Sequence, residues 1–173
     1  KSIICKKSRQ KRTWNTDPKQ INLIRLEKVM IAIGCDHAGV EMKKAIIEAL
    51  SIQGFDFLDM GTDGEPCDYP DIAEKVCHEI LSGHCTRGIL ICGTGIGISI
   101  AANKIKGIRA ALCSDSFSTR FTRLHNDANV MCMGARTLGC GLAAELAEIF
   151  LTTSFEGGRH QRRIDLITKI ENK

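Results

Sequence analysis

The sequence predicts an α/β protein, a three-layer αβα Rossmann-like sandwich around a five-stranded parallel sheet. Two observations predict it. Five short apolar runs recur from residue 29 onward, and stretches with helical spacing separate them. A length of 173 residues fits one such domain with a sizeable core, and nothing requires two. Right-handed crossovers leave few arrangements, of which the flavodoxin-like strand order 2-1-3-4-5 is expected.

The elements follow in order. "VMIAIG" (29–34) reads as the first strand, and "GVEMKKAIIEALSIQ" as a helix with Met42, Ala45, Ile46, Ala49 and Leu50 on one face. "FDFLDMG" (55–61) alternates as a strand. "DYPDIAEKVCHEILSG" has an acidic first turn and Gly83 at its end, as a helix should. "GILIC" (88–92) is the third strand, "GISIAANKI" a helix and "IRAALC" (108–113) the fourth strand. A helix over "DSFSTRFTRLHN" leads to the fifth strand, "NVMCMG" (129–134). Helices at roughly 140–153 and 160–171 complete the chain.

Composition narrows the function classes. No apolar stretch is long and unbroken enough to span a bilayer, and no charged-then-apolar signal peptide occurs. The nine cysteines are odd in number and irregular in spacing, with no C-x-x-C, which suggests reduced thiols in a cytoplasmic protein. The five histidines never pair at metal-ligand spacing, so no metal site is expected. Residues 1–28 hold nine Lys/Arg against Asp17 and Glu27, a balance of +7, whereas the remainder stands at −3. The expected division is a basic N-terminal extension over 1–28, disordered or foreign to the natural chain, and a folded domain over 29–173. A presequence or a nucleic-acid-binding arm are the sharper readings of the extension.

In the expected sheet, ligands lie beyond the carboxyl ends of strands 1 and 3, where the strand order reverses. The loops there are "GCDHAG" and "CGTGIG". The second is neither a Walker A sequence nor the dinucleotide fingerprint. It is a run of small residues opening a helix, whose N–H groups favour negative charge, or simply a tight turn. Cys92 stands at that helix start, where a thiolate is stabilised. Between Glu79 and Asp115 there is no carboxylate, so Cys92 is the one local candidate for a base, with N–H groups beside it for a developing oxyanion. That pairing suits proton abstraction next to a carbonyl. A buried core cysteine is the plainer alternative. Arg159 and Arg163, at i,i+4 after Gly157-Gly158, could grip a phosphate or form a solvated basic turn, and Arg136 is ambiguous in the same way.

Six segments in order, "IAIGCDHAG", "DYPD", "GILICGTGIGISIAANKIKGIRAA", "HNDANV", "MGAR" and "EGGRHQRRI", resemble the type B ribose-5-phosphate isomerase family, related to bacterial galactose-6-phosphate isomerase subunits. The likeness covers essentially residues 29–172. It implies interconversion of D-ribose 5-phosphate and D-ribulose 5-phosphate through a cis-enediolate, in the non-oxidative pentose phosphate branch, without metal or organic cofactor. Carried onto this chain, Cys92 is the base, and Gly93, Thr94, Gly95, Ile96 and Gly97 form the anion hole, the Thr94 hydroxyl included. His125 opens the furanose ring and Asn126 contacts sugar oxygens. Asp36 orients the hydroxyls, Tyr69 lines the pocket, and His37, Arg136, Arg159 and Arg163 hold the phosphate. One branch of the family uses a loop glutamate, but the matching residue here is Ile98, which cannot act as a base.

His125 ends the helix after strand 4, so it should face the amino ends of the strands, while Cys92 sits at the carboxyl ends. The family is dimeric with sites shared between subunits, and a homodimer is expected in which His125 serves the partner's Cys92, with pairing to a tetramer left open. The competing readings are an allose- or galactose-6-phosphate isomerase of the same superfamily, a nucleotide-binding module, and a nucleic-acid binder using the extension. The resemblance favours the sugar-phosphate substrate, with no nucleic acid and no membrane.

Overall fold

The computed structural model describes residues 30–173, so the expectations for the extension lie outside the described residues. Five strands alternate with helices. β1 (Met30–Cys35) precedes α1 (Val40–Ser51), β2 (Asp56–Asp59) precedes α2 (Tyr69–Leu81), and β3 (Arg87–Cys92) precedes α3 (Ile96–Ala102). Then come β4 (Ala110–Leu112), α4 (Ser116–Asn126), β5 (Val130–Gly134) and α5 (Cys140–Thr152). A short 3₁₀ turn (Gly158–His160) leads into α6 (Gln161–Glu171). No helix among the described residues is long and apolar enough to cross a membrane.

All strand pairs are parallel, and the sheet order is β2-β1-β3-β5-β4. This corrects the expected order 2-1-3-4-5 at one place, since β4 and β5 exchange positions. Burial gives the reason. β5 is buried along all five residues, as a strand flanked on both edges should be. β4 is three residues long, half-buried at Ala110 and Ala111 and exposed at Leu112, and such a strand suits an edge.

The two sheet faces carry separate clusters, as the pleat requires. Ile31, Ile33, Ile89, Ile91 and Met131 pack against α1 and α5 through Ile46, Leu50, Leu146 and Phe150. Ala32, Leu90, Cys92, Val130 and Cys132 pack against α2 and α3 through Ile72, Val76, Ile98 and Ala102. Each fully buried aliphatic side chain contributes about 1.5–3 kcal/mol, so these two layers hold the carboxyl-end loops on a rigid base. Two buried cations fix the remaining connections. Lys43, 1 % exposed, pairs with Asp59 at 2.7 Å and donates to the Thr62 carbonyl at 3.0 Å. Arg123 donates to the carbonyls of Thr153 and Ala128 and pairs with Asp127 at 2.8 Å, which ties the end of α4 to the end of α5.

Candidate active site

The corrected strand order decides what surrounds Cys92. Because β5 lies beside β3, Cys92 pairs with Gly134, and the chain leaving β5 runs along the glycine loop. Ala135 N–H donates to the Cys92 carbonyl and Arg136 N–H to the Gly93 carbonyl, both at 2.9 Å. A Cβ placed on Gly93 would lie 3.6 Å from the Arg136 side chain, so the guanidinium stem covers the loop. Arg136 is thus next to the candidate base.

Cys92 is 4 % exposed, and its sulfur accepts a hydrogen bond from Gly95 N–H at 3.1 Å. Two other thiols donate instead. Cys35 and Cys113 donate through sulfur to the carbonyls of Thr62 and Ala111. Burial pushes the Cys35 and Cys113 thiols up to about 11 and that of Cys77 to about 12, and it raises Cys132 strongly. A sulfur that accepts is suited to the thiolate, and a sulfur that donates must keep its proton.

The loop geometry follows from its glycines. Gly95 has φ +76°, the left-handed region, and a Cβ there would lie 2.7 Å from the Met133 carbonyl carbon and 3.0 Å from Gly134 N. Those are backbone atoms of β5 and cannot turn aside. The Gly95→Ala variant is therefore expected to lose about 3 kcal/mol of stability, from a strained φ plus an unrelieved contact. Urea unfolding would measure it, and a variant within 1 kcal/mol (about a fivefold change in equilibrium) would contradict the reading. After Gly95 the Ile96 N–H is met by Thr94 Oγ1 at 3.3 Å. The N–H groups of Gly97 and Ile98 lie in the first turn of α3, where no i−4 carbonyl exists to receive them.

Asp36 and Tyr69 complete this end of the sheet. Asp36 is 7 % exposed, its N–H donates to the Ile91 carbonyl at 3.1 Å, and its carboxylate accepts from Ala38 N–H at 2.9 Å. That turn leaves His37 exposed at the rim. Tyr69 begins α2, and a Cβ on Gly97 would meet its Cζ at 2.8 Å, so the phenol lies on the loop. Tyr69, Gly93 to Gly97 and Arg136 therefore lie about Cys92, with Asp36 and His37 in the neighbouring loop at the end of β1.

The remaining predicted residues form a second group at the opposite end of the strands. Asn126 closes α4 only four residues before β5 begins, and its carbonyl accepts from Arg109, which precedes β4. His125 is one third exposed. Its ring stacks on that of His160, centroids 4.0 Å apart and planes 8° apart, and the edge of Phe121 closes on it from within α4. Arg159 and Arg163 act electrostatically on His160, so the two arginines belong here and not beside Cys92.

Sequence spacing did not reveal two members of this group, Glu156 and His160. Gly157 and Gly158, with φ +66° and +57°, turn the chain so that residue 160 returns beneath residue 156. Glu156 Oε2 then lies 3.5 Å from both His125 Nε2 and His160 Nε2. Their donor atoms fall within 4.8 Å of one another, a proximity that no sequence interval between the histidines signals. One ion cannot lie in the planes of two parallel stacked rings, so this arrangement favours hydrogen bonding over metal ligation. Burial, His125 and Arg159 lower the His160 pKa below its ordinary 6.5. The unfolded chain then binds the extra proton more readily, so this group's contribution to stability is lost as pH falls from 6.5 through the folded pKa. Urea midpoints should drop between about pH 7 and about pH 5, and the His160→Gln variant should flatten that slope.

Known proteins carry the same architecture. The ribose/galactose isomerase family profile matches residues 31–167. The ribose-5-phosphate isomerase B of Escherichia coli K12 is 46 % identical over 144 residues, 83 % of this chain and 97 % of that protein. The D-erythrulose-4-phosphate isomerase of Pectobacterium atrosepticum is 42 % identical over 83 % of this chain and 95 % of its own. Among solved structures, the Clostridium thermocellum ribose-5-phosphate isomerase B superposes with a TM-score of 0.81 at 48 % identity, covering 83 % of this chain and 98 % of that one. With matches spanning the sheet, the glycine loop and α6, the chain belongs to the ribose/galactose isomerase family and is a sugar-phosphate isomerase.

Proposed function

We propose that the protein interconverts D-ribose 5-phosphate and D-ribulose 5-phosphate with Cys92 as the base. The observation that carries this reading is the Cys92 sulfur, which accepts a backbone N–H inside a glycine loop. In the open-chain aldose, the Cys92 thiolate takes the C2 proton, and the electron pair forms the C1–C2 double bond of a cis-enediolate. Its charge on O1 meets the N–H groups of the loop and first turn of α3. The O2 proton passes to O1, and the Cys92 thiol returns its proton to C1. Asp36 orients the hydroxyls, and Tyr69 bounds the pocket. His37, Arg136, Arg159 and Arg163 hold the phosphate, and Asn126 contacts the sugar. The eight free cysteines of the described residues fit a reducing, cytoplasmic setting.

The two groups of residues lie at opposite ends of the sheet, which supports a homodimer whose sites draw on both subunits. The apolar surface fits such pairing. Ile96, Ile100 and Phe117 are 52, 56 and 69 % exposed, and Ile170 on α6 is 67 % exposed. Ketose formation from ribose 5-phosphate, followed with and without EDTA, tests the substrate. Turnover insensitive to EDTA is expected. Conversion of allose or galactose 6-phosphate in its place would keep the base and overturn the pentose.

A further inference from the structure

We infer that Glu156 and His160 are positioning residues that fix which ring nitrogen of His125 carries the proton. The inference rests on the proposed isomerisation only in giving His125 a reaction to serve, the ring opening that the family resemblance implies, since the geometry stands without it. Arg159 Nε donates to His160 Nε2 at 3.3 Å. Guanidinium nitrogen cannot accept, so His160 Nε2 presents its lone pair and the His160 proton sits on Nδ1. His160 Nε2 therefore cannot also donate to Glu156, although it lies 3.5 Å from Oε2. The one proton available to that carboxylate oxygen from the stacked pair is on His125 Nε2, at the same 3.5 Å. An Nε2–H on His125 would face that carboxylate at 3.5 Å, a long electrostatic contact, which favours the Nε2–H tautomer and leaves Nδ1 to accept.

The neighbours reinforce this assignment. The charged and titratable groups facing the pair are Glu156, Arg159 and Arg163, with His160 on one ring face and the uncharged Phe121 at the edge. Burial, His125 and the two cations disfavour protonation of His160, and its ring stacks on His125 with Nε2 already turned to Arg159. The arrangement is a relay of fixed polarity: Arg159 to His160, and His125 to Glu156. The backbone anchors it, because Glu156 N–H donates to the Leu124 carbonyl at 3.0 Å, one residue before His125. A general acid–base histidine held in one tautomer is the arrangement that orienting carboxylates provide elsewhere.

Two readouts test it. Two-bond ¹⁵N–¹H spectra of histidine-labelled protein at a pH above the imidazole range should give His125 as Nε2–H, and Glu156→Gln should shift it toward a tautomer mixture. The second readout compares ribose 5-phosphate, a furanose in solution, with D-erythrose 4-phosphate, too short to close such a ring. Glu156→Gln should lower kcat/KM for the pentose about tenfold and change the tetrose less than about twofold. Equal loss on both sugars, an Nδ1–H tautomer in the wild type, or spectra unchanged by Glu156→Gln would overturn the inference. Were the wild type to convert neither sugar, the substrate reading would fall, and the spectra would still decide the tautomer.

Discussion

Replacing Cys92 by alanine is expected to remove isomerase activity while leaving the fold intact. In the proposed reaction one thiol carries the proton away from C2 and back to C1, so its loss would remove both transfers at once. Positioned proton transfer contributes about 10²–10⁴-fold, and with no carboxylate nearby in the loop to substitute, the upper part of that range is expected. The fold should tolerate the change. Cys92 is a small buried residue at a strand end, and trimming one sulfur there costs about 1 kcal/mol. Cys92→Ser is the sharper variant, because it keeps the shape and the Gly95 N–H contact but offers a hydroxyl that stays protonated at neutral pH. It should be as inactive as alanine. Cys77→Ala and Cys132→Ala, at thiols whose pKa burial raises, should keep near-normal turnover. Steady-state assays beside circular dichroism would read all four variants. Substantial turnover in folded Cys92→Ala would return this thiol to the core.

Much of the fold was legible because strands and helices announce themselves by local pattern. Each of the five apolar runs became a strand, and the helices expected near 140–153 and 160–171 became Cys140–Thr152 and Gln161–Glu171. The helix drawn over 97–105 ended early, at Ala102, where Asn103 turns the chain and its side chain bonds both ways with Ala110. Neighbour order was less legible. A run such as "IRAALC" records that it is apolar, but the exposure that sends β4 to the edge exists only once the sheet has formed.

The site divided along the same line. Asp36 and Cys92 were readable because strand ends and glycine turns are local features. That Arg136 covers Gly93 was not, since it depends on β5 lying beside β3. Glu156 and His160 were within a quoted motif, yet only the arginines in it had a spacing with meaning. Their approach to His125 comes from the left-handed pair Gly157-Gly158 and from Arg123, which binds α4 to the end of α5.

Mixing two inactive proteins should restore activity. In the described fold the Cys92 group occupies the carboxyl end of the sheet and the His125 group the amino end; β3 is held between two packed layers, and Arg123 ties α4 to the end of α5. No side-chain rotation brings the groups together within one chain. A second copy can do so, and a two-fold pair would form two identical sites, each taking Cys92 from one subunit and His125 from the other. Subunits carrying Cys92→Ala and subunits carrying His125→Ala are each expected to form slow or inactive homodimers. Their heterodimer contains one site with both changes and one with neither, so the isolated heterodimer should regain about half of wild-type activity. Random refolding makes heterodimers of about half the pairs, so the unfractionated mixture should regain about a quarter. The recovery requires unfolding and reassociation, which separates it from any additive effect of the two stocks. Absence of recovery, in a mixture shown by differential tagging to contain heterodimers, would mean that each chain completes its own site. His125, Glu156 and His160 would then need a role other than ring opening at the partner's Cys92.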